Sequence, residues 1–308
     1  VQGKGPEDKL MANTKSPLNW EREGGDWPNR QASLFVNVAG LDWHVQEFGE
    51  GPSALLIHGT GASTHSWSWL APHLSGRFRL ILIDLPSHAF TSAVPSSRMT
   101  LPEMSSAVGS LLKALGASPI LGIGHSAGAA ILLRMTLDNH FTPQSIVSIN
   151  GALMPFPGMA RHIFPAMAKM LFLNPLTPRF FAWRAAQTGS VEKLIESTGS
   201  QIPADSIAFY RRLLSSADHV AGALSMMANW DLAPLMRDLP NLKPALVQIV
   251  GSNDWAVPAD QAFQIAQRFS RPQPLVLRGL GHLAHEEDPA RVAACLLDAV
   301  GIAEPASA

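Results

Sequence analysis

Six short apolar runs punctuate this chain, at residues 54–57, 78–83, 119–123, 145–149, 245–250 and 274–277. They run on without regular polar alternation, so each suits a strand buried on both faces rather than one with a wet side. Such strands need a mainly parallel sheet with helices on both faces, and helical patterns lie between several of the runs. Residues 101–115 carry Leu101, Met104, Val108, Leu111, Leu112 and Leu115 at helical spacing, with Thr100 as the N-cap and Gly116 as the stop. Residues 127–137, 259–269 and 289–300 read as further helices. Two earlier strand-like runs, 33–39 and 42–48, meet at Gly40 and predict a hairpin. The expected class is α/β.

Two segments fall outside the alternation. Residues 1–30 are rich in Gly, Pro, Asn and charge and read as a flexible arm. Residues 151–233 contain no convincing strand, are broken by prolines, and are rich in Met and Phe. An insertion of that kind between two sheet strands reads as a helical lid on a core made of residues 31–150 and 234–308. Met154, Phe156, Met159 and Trp230 are candidates for an apolar, adaptable pocket wall under it.

Composition narrows the function classes. Of the 308 residues, 46% are hydrophobic and 15% charged, which is enough to build a large core. A net charge of −1, with no basic stripe, argues against nucleic acid as a partner. The lone cysteine, Cys295, excludes an internal disulfide and reads as a small apolar residue of a helix. No run reaches the roughly 18–20 apolar residues of a membrane span. Residues 1–10 lack the apolar centre of a secretory signal, and Met11 is an alternative start. The expectation is a soluble cytoplasmic protein, with peripheral membrane contact left open. No metal-ligand spacing, dinucleotide fingerprint or P-loop is present, so no cofactor is expected.

The chemistry concentrates at the ends of the apolar runs. Gly124-His125-Ser126-Ala127-Gly128 follows one run and opens a helical pattern. A serine hydroxyl needs a base to take its proton, and this pattern sets it on a sharp strand-to-helix turn. The helix start offers partial positive charge to a developing oxyanion. His58-Gly59-Thr60-Gly61 follows an earlier run, and the N–H groups of Thr60 and Ala127 are the candidate oxyanion donors. Asp254 and His282 each follow a later run, in the chain order Ser, Asp, His. His282 would act as general base and then acid, with Asp254 fixing its tautomer.

Other polar residues have plainer readings. His58 and His125 support their own turns, and Asp84 bonds the turn after its strand. His285 belongs with Glu286, Glu287 and Asp288 to a capping or solvated cluster. Asp231 is a weaker alternative acid.

These motifs resemble the α/β-hydrolase superfamily. Longer stretches resemble the magnesium-chelatase accessory hydrolases encoded among the bacteriochlorophyll biosynthesis genes of phototrophic bacteria: residues 26–30, 58–67, 124–131, 150–152, 226–235 and 279–287. The resemblance implies an α/β-hydrolase fold with a mostly parallel eight-stranded sheet, flanking helices and an inserted helical lid. It also implies an association with tetrapyrrole synthesis. The chain departs from the family pattern at Ser87-His88-Ala89, where glycines usually flank the histidine; an altered loop at the site's rim is expected. The leading expectation is a serine hydrolase of an ester-like or related acyl bond with an apolar substrate. Carbon–carbon hydrolysis and perhydrolysis use the same triad and stay open. The alternative is a tetrapyrrole-binding or magnesium-chelatase accessory protein on a hydrolase scaffold.

Overall fold

The computed structural model describes residues 17–155, 174 and 176–301. Strands β1 (Ser33–Val38), β2 (Leu41–Phe48), β3 (Ser53–Ile57), β4 (Arg79–Ile83), β5 (Leu121–His125), β6 (Ser145–Ile149), β7 (Ala245–Gly251) and β8 (Leu275–Leu277) form one sheet. Their spatial order is β1-β2-β4-β3-β5-β6-β7-β8. The first two pairings, β1 with β2 and β2 with β4, are antiparallel. Every pairing beyond β4 is parallel. The hairpin turns through Ala39 and Gly40, both at positive φ, as a tight two-residue connection between twisted strands requires.

The apolar runs are buried on both faces because their side chains divide alternately between two cores. Leu55, Ile57, Ile81 and Ile83 belong to one cluster, with Met104 and Val108 of α3 (Leu101–Ala114) and Ile131 and Leu132 of α4 (Ala127–Leu137). Ala54, Leu56, Leu80 and Leu82 belong to the other. There they meet Leu74 of α2 (Ala71–Leu74) and Val292 and Leu296 of α12 (Pro289–Ala299). Thr100 caps α3 by accepting the Glu103 N–H, and Gly116 follows at positive φ. Cys295 is a free, half-buried thiol packed against the second cluster.

Between β6 and β7 the chain supplies α5 (Thr177–Ala185), α6 (Ser190–Glu196), α7 (Ala204–Leu214), α8 (Ala217–Ala228) and α9 (Ala233–Asp238), with no strand among the described residues. No helix among them is long and apolar enough to cross a membrane. Phe156 and Met159 lie outside the described residues. Met154 and Trp230 are half-buried against the first cluster.

Residues 17–30 correct the expectation of a flexible arm. They include α1 (Trp20–Glu23) and form a small apolar cluster of their own. Trp27 is 2% exposed and stacks edge-on against Phe90 and Phe209, while its indole N–H donates to Thr64 Oγ1 at 3.1 Å. Asp26 pairs with Arg212 of α7 at 2.6 Å. The Gly and Pro content here serves tight turns between aromatic anchors rather than disorder.

Candidate active site

Ser126 stands between β5 and α4 with φ 51° and ψ −118°. A left-handed backbone at a non-glycine residue costs on the order of 1–3 kcal/mol and persists only where its surroundings enforce it. Here the Ser126 N–H donates to Ile149 O at 3.1 Å, and the Ser126 carbonyl accepts from Ala129 and Ala152. Two glycines let the turn close. A Cβ at Gly124 would lie 2.5 Å from the Ala129 backbone, and one at Gly128 would strike the carbonyls of Ile57 and His58. The loop after β3 is equally tight: a Cβ at Gly59 would lie 3.0 Å from that of Ser126. Gly59-Thr60 therefore sits beside Ser126. Ala127 opens α4, so its N–H has no acceptor within the helix.

Asp254 and His282 lie past the ends of β7 and β8 and meet. The His282 Nδ1–H donates to Asp254 Oδ2 at 2.8 Å. The other oxygen, Oδ1, accepts from the amides of Ala256 at 2.9 Å and Val257 at 2.7 Å, so the buried carboxylate is fully engaged. Among the described residues nothing bonds the other ring nitrogen, His282 Nε2. His125, next to Ser126, ties the two regions together: its Nε2–H donates to the His282 carbonyl at 2.9 Å. It supports the turn, with burial holding its pKa well below the usual histidine value.

Asn150, at the end of β6, is a contributor that its place in the sequence does not announce. Its side-chain amide donates to the carbonyls of Gly281 and His282, both at 2.7 Å, and its Oδ1 accepts the Gly251 N–H at 2.7 Å. One side chain thus fixes the loops carrying Asp254 and His282 to the strand beside Ser126.

Asp84 and His58 hold structure, as expected of them. Asp84 accepts from the amides of Thr64 and Phe90 and from His44 Nδ1 at 2.6 Å. Burial pushes its carboxyl up, but His44, His58 and the Thr64 amide outweigh that and hold it at about 2. His58 accepts the Leu85 N–H and donates to Gly59 O. Asp231 is exposed and accepts the Ala233 N–H at the start of α9. Ser87 and Ala89 keep left-handed backbones, at φ 62° and 41°, where glycines were expected. The turn therefore retains a glycine-like path, held by Val94 N–H donating to Ser87 Oγ and Ala89 N–H donating to His219 Nδ1.

In the cluster around His285, Asp288 has the expected capping role, accepting the Arg291 N–H at the start of α12, whereas His285 and Glu286 depart from the expectation of a solvated or capping role. His285 and Glu286 are almost wholly buried. Glu286 Oε1 accepts from Ser66 Oγ at 2.5 Å and from the hydroxyl of Tyr210, on α7, at 2.7 Å. His285 Nε2 donates to Ser66 Oγ. Burial raises the Glu286 carboxyl to about 7 and depresses His285 to about 3.

The sequence profile of the alpha/beta hydrolase family matches residues 54–295, which takes in the sheet from β3 onward and all three of Ser126, Asp254 and His282. The chain belongs to the alpha/beta hydrolase family. It is 38% identical over 276 residues to the magnesium-chelatase 30 kDa subunit of Rhodobacter capsulatus, covering 89% of this chain and 96% of that protein. It is 24% identical to the pimeloyl-[acyl-carrier protein] methyl ester esterase of Aeromonas hydrophila, across 77% of this chain and 91% of the esterase. An alpha/beta hydrolase fold protein from Burkholderia ambifaria superposes with a TM-score of 0.71 at 20% identity, covering 87% of this chain and 97% of that one.

Proposed function

We propose that this chain is a serine hydrolase that cleaves an ester-like or related acyl bond through an acyl-enzyme. The observation that carries the reading is the 2.8 Å bond from His282 Nδ1 to buried Asp254, set beside a serine held at positive φ. That bond commits the ring proton to Nδ1 and leaves Nε2 unprotonated in the neutral ring, the form a general base needs. In the proposed cycle Ser126 Oγ attacks the carbonyl carbon as its proton passes to His282 Nε2. The N–H groups of Ala127 and Thr60 receive the oxyanion. His282 then protonates the leaving group, and water repeats the sequence on the acyl-enzyme.

The helices between β6 and β7 serve as a lid in this reading. Met226 of α8 receives the Thr60 hydroxyl at 3.4 Å, and His219 of the same helix bonds Gly61 O at 3.1 Å, so α8 roofs the proposed oxyanion loop. Met154 and Trp230 would contribute apolar wall. A fluorophosphonate probe followed by intact mass tests the mechanism. One adduct is expected on the wild type and none on Ser126→Ala. An unmodified wild type, or equal labelling of the variant, overturns it. With p-nitrophenyl esters of increasing chain length, activity should extend beyond acetate; activity on acetate alone removes the apolar pocket.

The kinship with the magnesium-chelatase 30 kDa subunit favours a second reading, an accessory protein that handles a tetrapyrrole or attends a chelatase. An exposed face of α5, carrying Phe180, Phe181 and Trp183 with Arg179 and Arg184, suits contact with an apolar partner or a membrane surface. Porphyrin binding that is unchanged in Ser126→Ala, together with an inert serine, supports this reading over the first.

A further inference from the structure

The loops bearing Asp254 and His282 meet a turn that belongs to neither of their strands. Residues Thr198, Gly199 and Ser200 connect α6 to α7 within the inserted helices. The Thr198 carbonyl accepts two amides, Trp255 N–H at 3.2 Å and His282 N–H at 3.4 Å. The Ser200 hydroxyl, on a residue 1% exposed, accepts the Leu283 N–H at 2.8 Å. The one proton of Thr198 Oγ1 goes to the Ile195 carbonyl at 2.6 Å, so across its 3.1 Å contact with Ser200 Oγ it can only accept, and the Ser200 oxygen keeps a lone pair for the Leu283 N–H. Backbone meets backbone without clearance: a Cβ at Gly199 would strike the Asn253 carbonyl, and one at Gly281 would strike Gly199 itself. Residues 253–255 and 281–283 are therefore gripped from the insertion side, as Asn150 grips them from the sheet side.

We propose that Ser200 is a positioning residue, and that the Thr198–Ser200 turn of the insertion sets the alignment of His282 with Asp254. The proposal rests on reading Ser126, His282 and Asp254 as a triad. The backbone of His282 has few other anchors: its carbonyl goes to Asn150 and His125, its own amide and the next go to this turn. Removing the Ser200 hydroxyl leaves the buried Leu283 N–H without its acceptor, and a loop that shifts to find water carries the imidazole with it.

The test compares wild type, Ser200→Ala and Ser190→Ala. Ser190 lies in the same insertion, where its hydroxyl accepts from Arg184. Two readouts are taken below the melting temperature of all three proteins: the second-order rate of fluorophosphonate labelling, and the far-downfield proton resonance of a histidine N–H bonded to a carboxylate. In Ser200→Ala labelling is expected to slow by roughly ten- to a hundredfold, with the downfield signal lost or shifted. Ser190→Ala should match wild type in both. Wild-type rate and signal in a folded Ser200→Ala overturn the proposal, and so does equal slowing in Ser190→Ala. Should Ser200→Ala fail to fold, Ser200→Cys keeps the shape with a weak acceptor and is read against the same outcomes. A wild type that does not label at all defeats the hydrolase reading, and the proton signal then decides the role of Ser200 alone.

Discussion

Single residues carry sharp demands here, and two substitutions expose them. Gly128→Ala drives a methyl into the carbonyls of Ile57 and His58, which belong to a strand end that cannot retreat. It should destabilise the fold by about 3 kcal/mol, the upper part of the range for overpacking, measured by urea unfolding. Asn150→Asp preserves shape but turns a donating amide toward the carbonyls of Gly281 and His282 into an acceptor. It should cost at least as much as Asn150→Ala, about 2–3 kcal/mol, and slow labelling of Ser126 in proportion; a neutral Asn150→Asp would mean that the His282 loop has other support. Ser126, Asp254 and His282 could be picked out as candidates because each follows an apolar run within a few residues, and a strand end is a position that sequence patterns can locate. Asn150 also follows such a run, but its role depends on carbonyls some 130 residues away, and no local pattern encodes where those will lie. His285 and Glu286 misled for the same reason. In a run of four polar residues these two look solvated until Ser66 and Tyr210 arrive from elsewhere to satisfy them.

At the level of elements, the two-faced burial of β3 and β4 was plain from uninterrupted apolar runs, and α3 from its spacing and cap. The segment at 17–30 was not, because its order comes from distant partners, Thr64, Phe90, Phe209 and Arg212, rather than from its own composition. Trp27→Ala should therefore destabilise the protein by about 3–5 kcal/mol, as a fully buried aromatic does, and thermal melts will show whether it does. The Tyr210–Glu286 bond fastens α7 to α11 (Ala284–Glu287) and makes that junction sensitive to pH. Burial raises the Glu286 carboxyl from 4.5 to about 7. The folded state thus retains a proton that the unfolded chain has lost, and this group's contribution to stability falls as pH rises through that window. Glu286→Gln cannot lose that proton. Its stability relative to wild type should rise between pH 4.5 and 7, by on the order of 3 kcal/mol in all, and then level off. A pH-independent difference between the two proteins would place the ionisation elsewhere.

For the whole molecule, buried histidines set the acid limit. His58, His65, His88, His125, His219 and His285 are all depressed, chiefly by burial, with His65 and His285 near 3 and His219 near 4. Unfolded, they would titrate around 6.5. Above that value both states are neutral; below it the unfolded chain gains protons the folded one refuses, so stability is lost as pH falls. Each such histidine contributes a slope of roughly 1.4 kcal/mol per pH unit, opposite in sign to Glu286 and more numerous. A cooperative loss of near-ultraviolet circular dichroism is expected by about pH 5; a native signal persisting at pH 4 would show that these rings find water or partners when charged. The segment around Trp27 has a further consequence, for the order in which the chain is made. Arg212 holds the carbonyl of Glu23 across 189 residues of sequence. On a ribosome, that separation is roughly 10–40 s of synthesis. Throughout that interval the indoles of Trp20 and Trp27 have emerged but the helix that completes their cover has not. The apolar surface around Trp27 is thus sealed only after Phe209, Arg212 and Leu213 have been made, long after the indole itself.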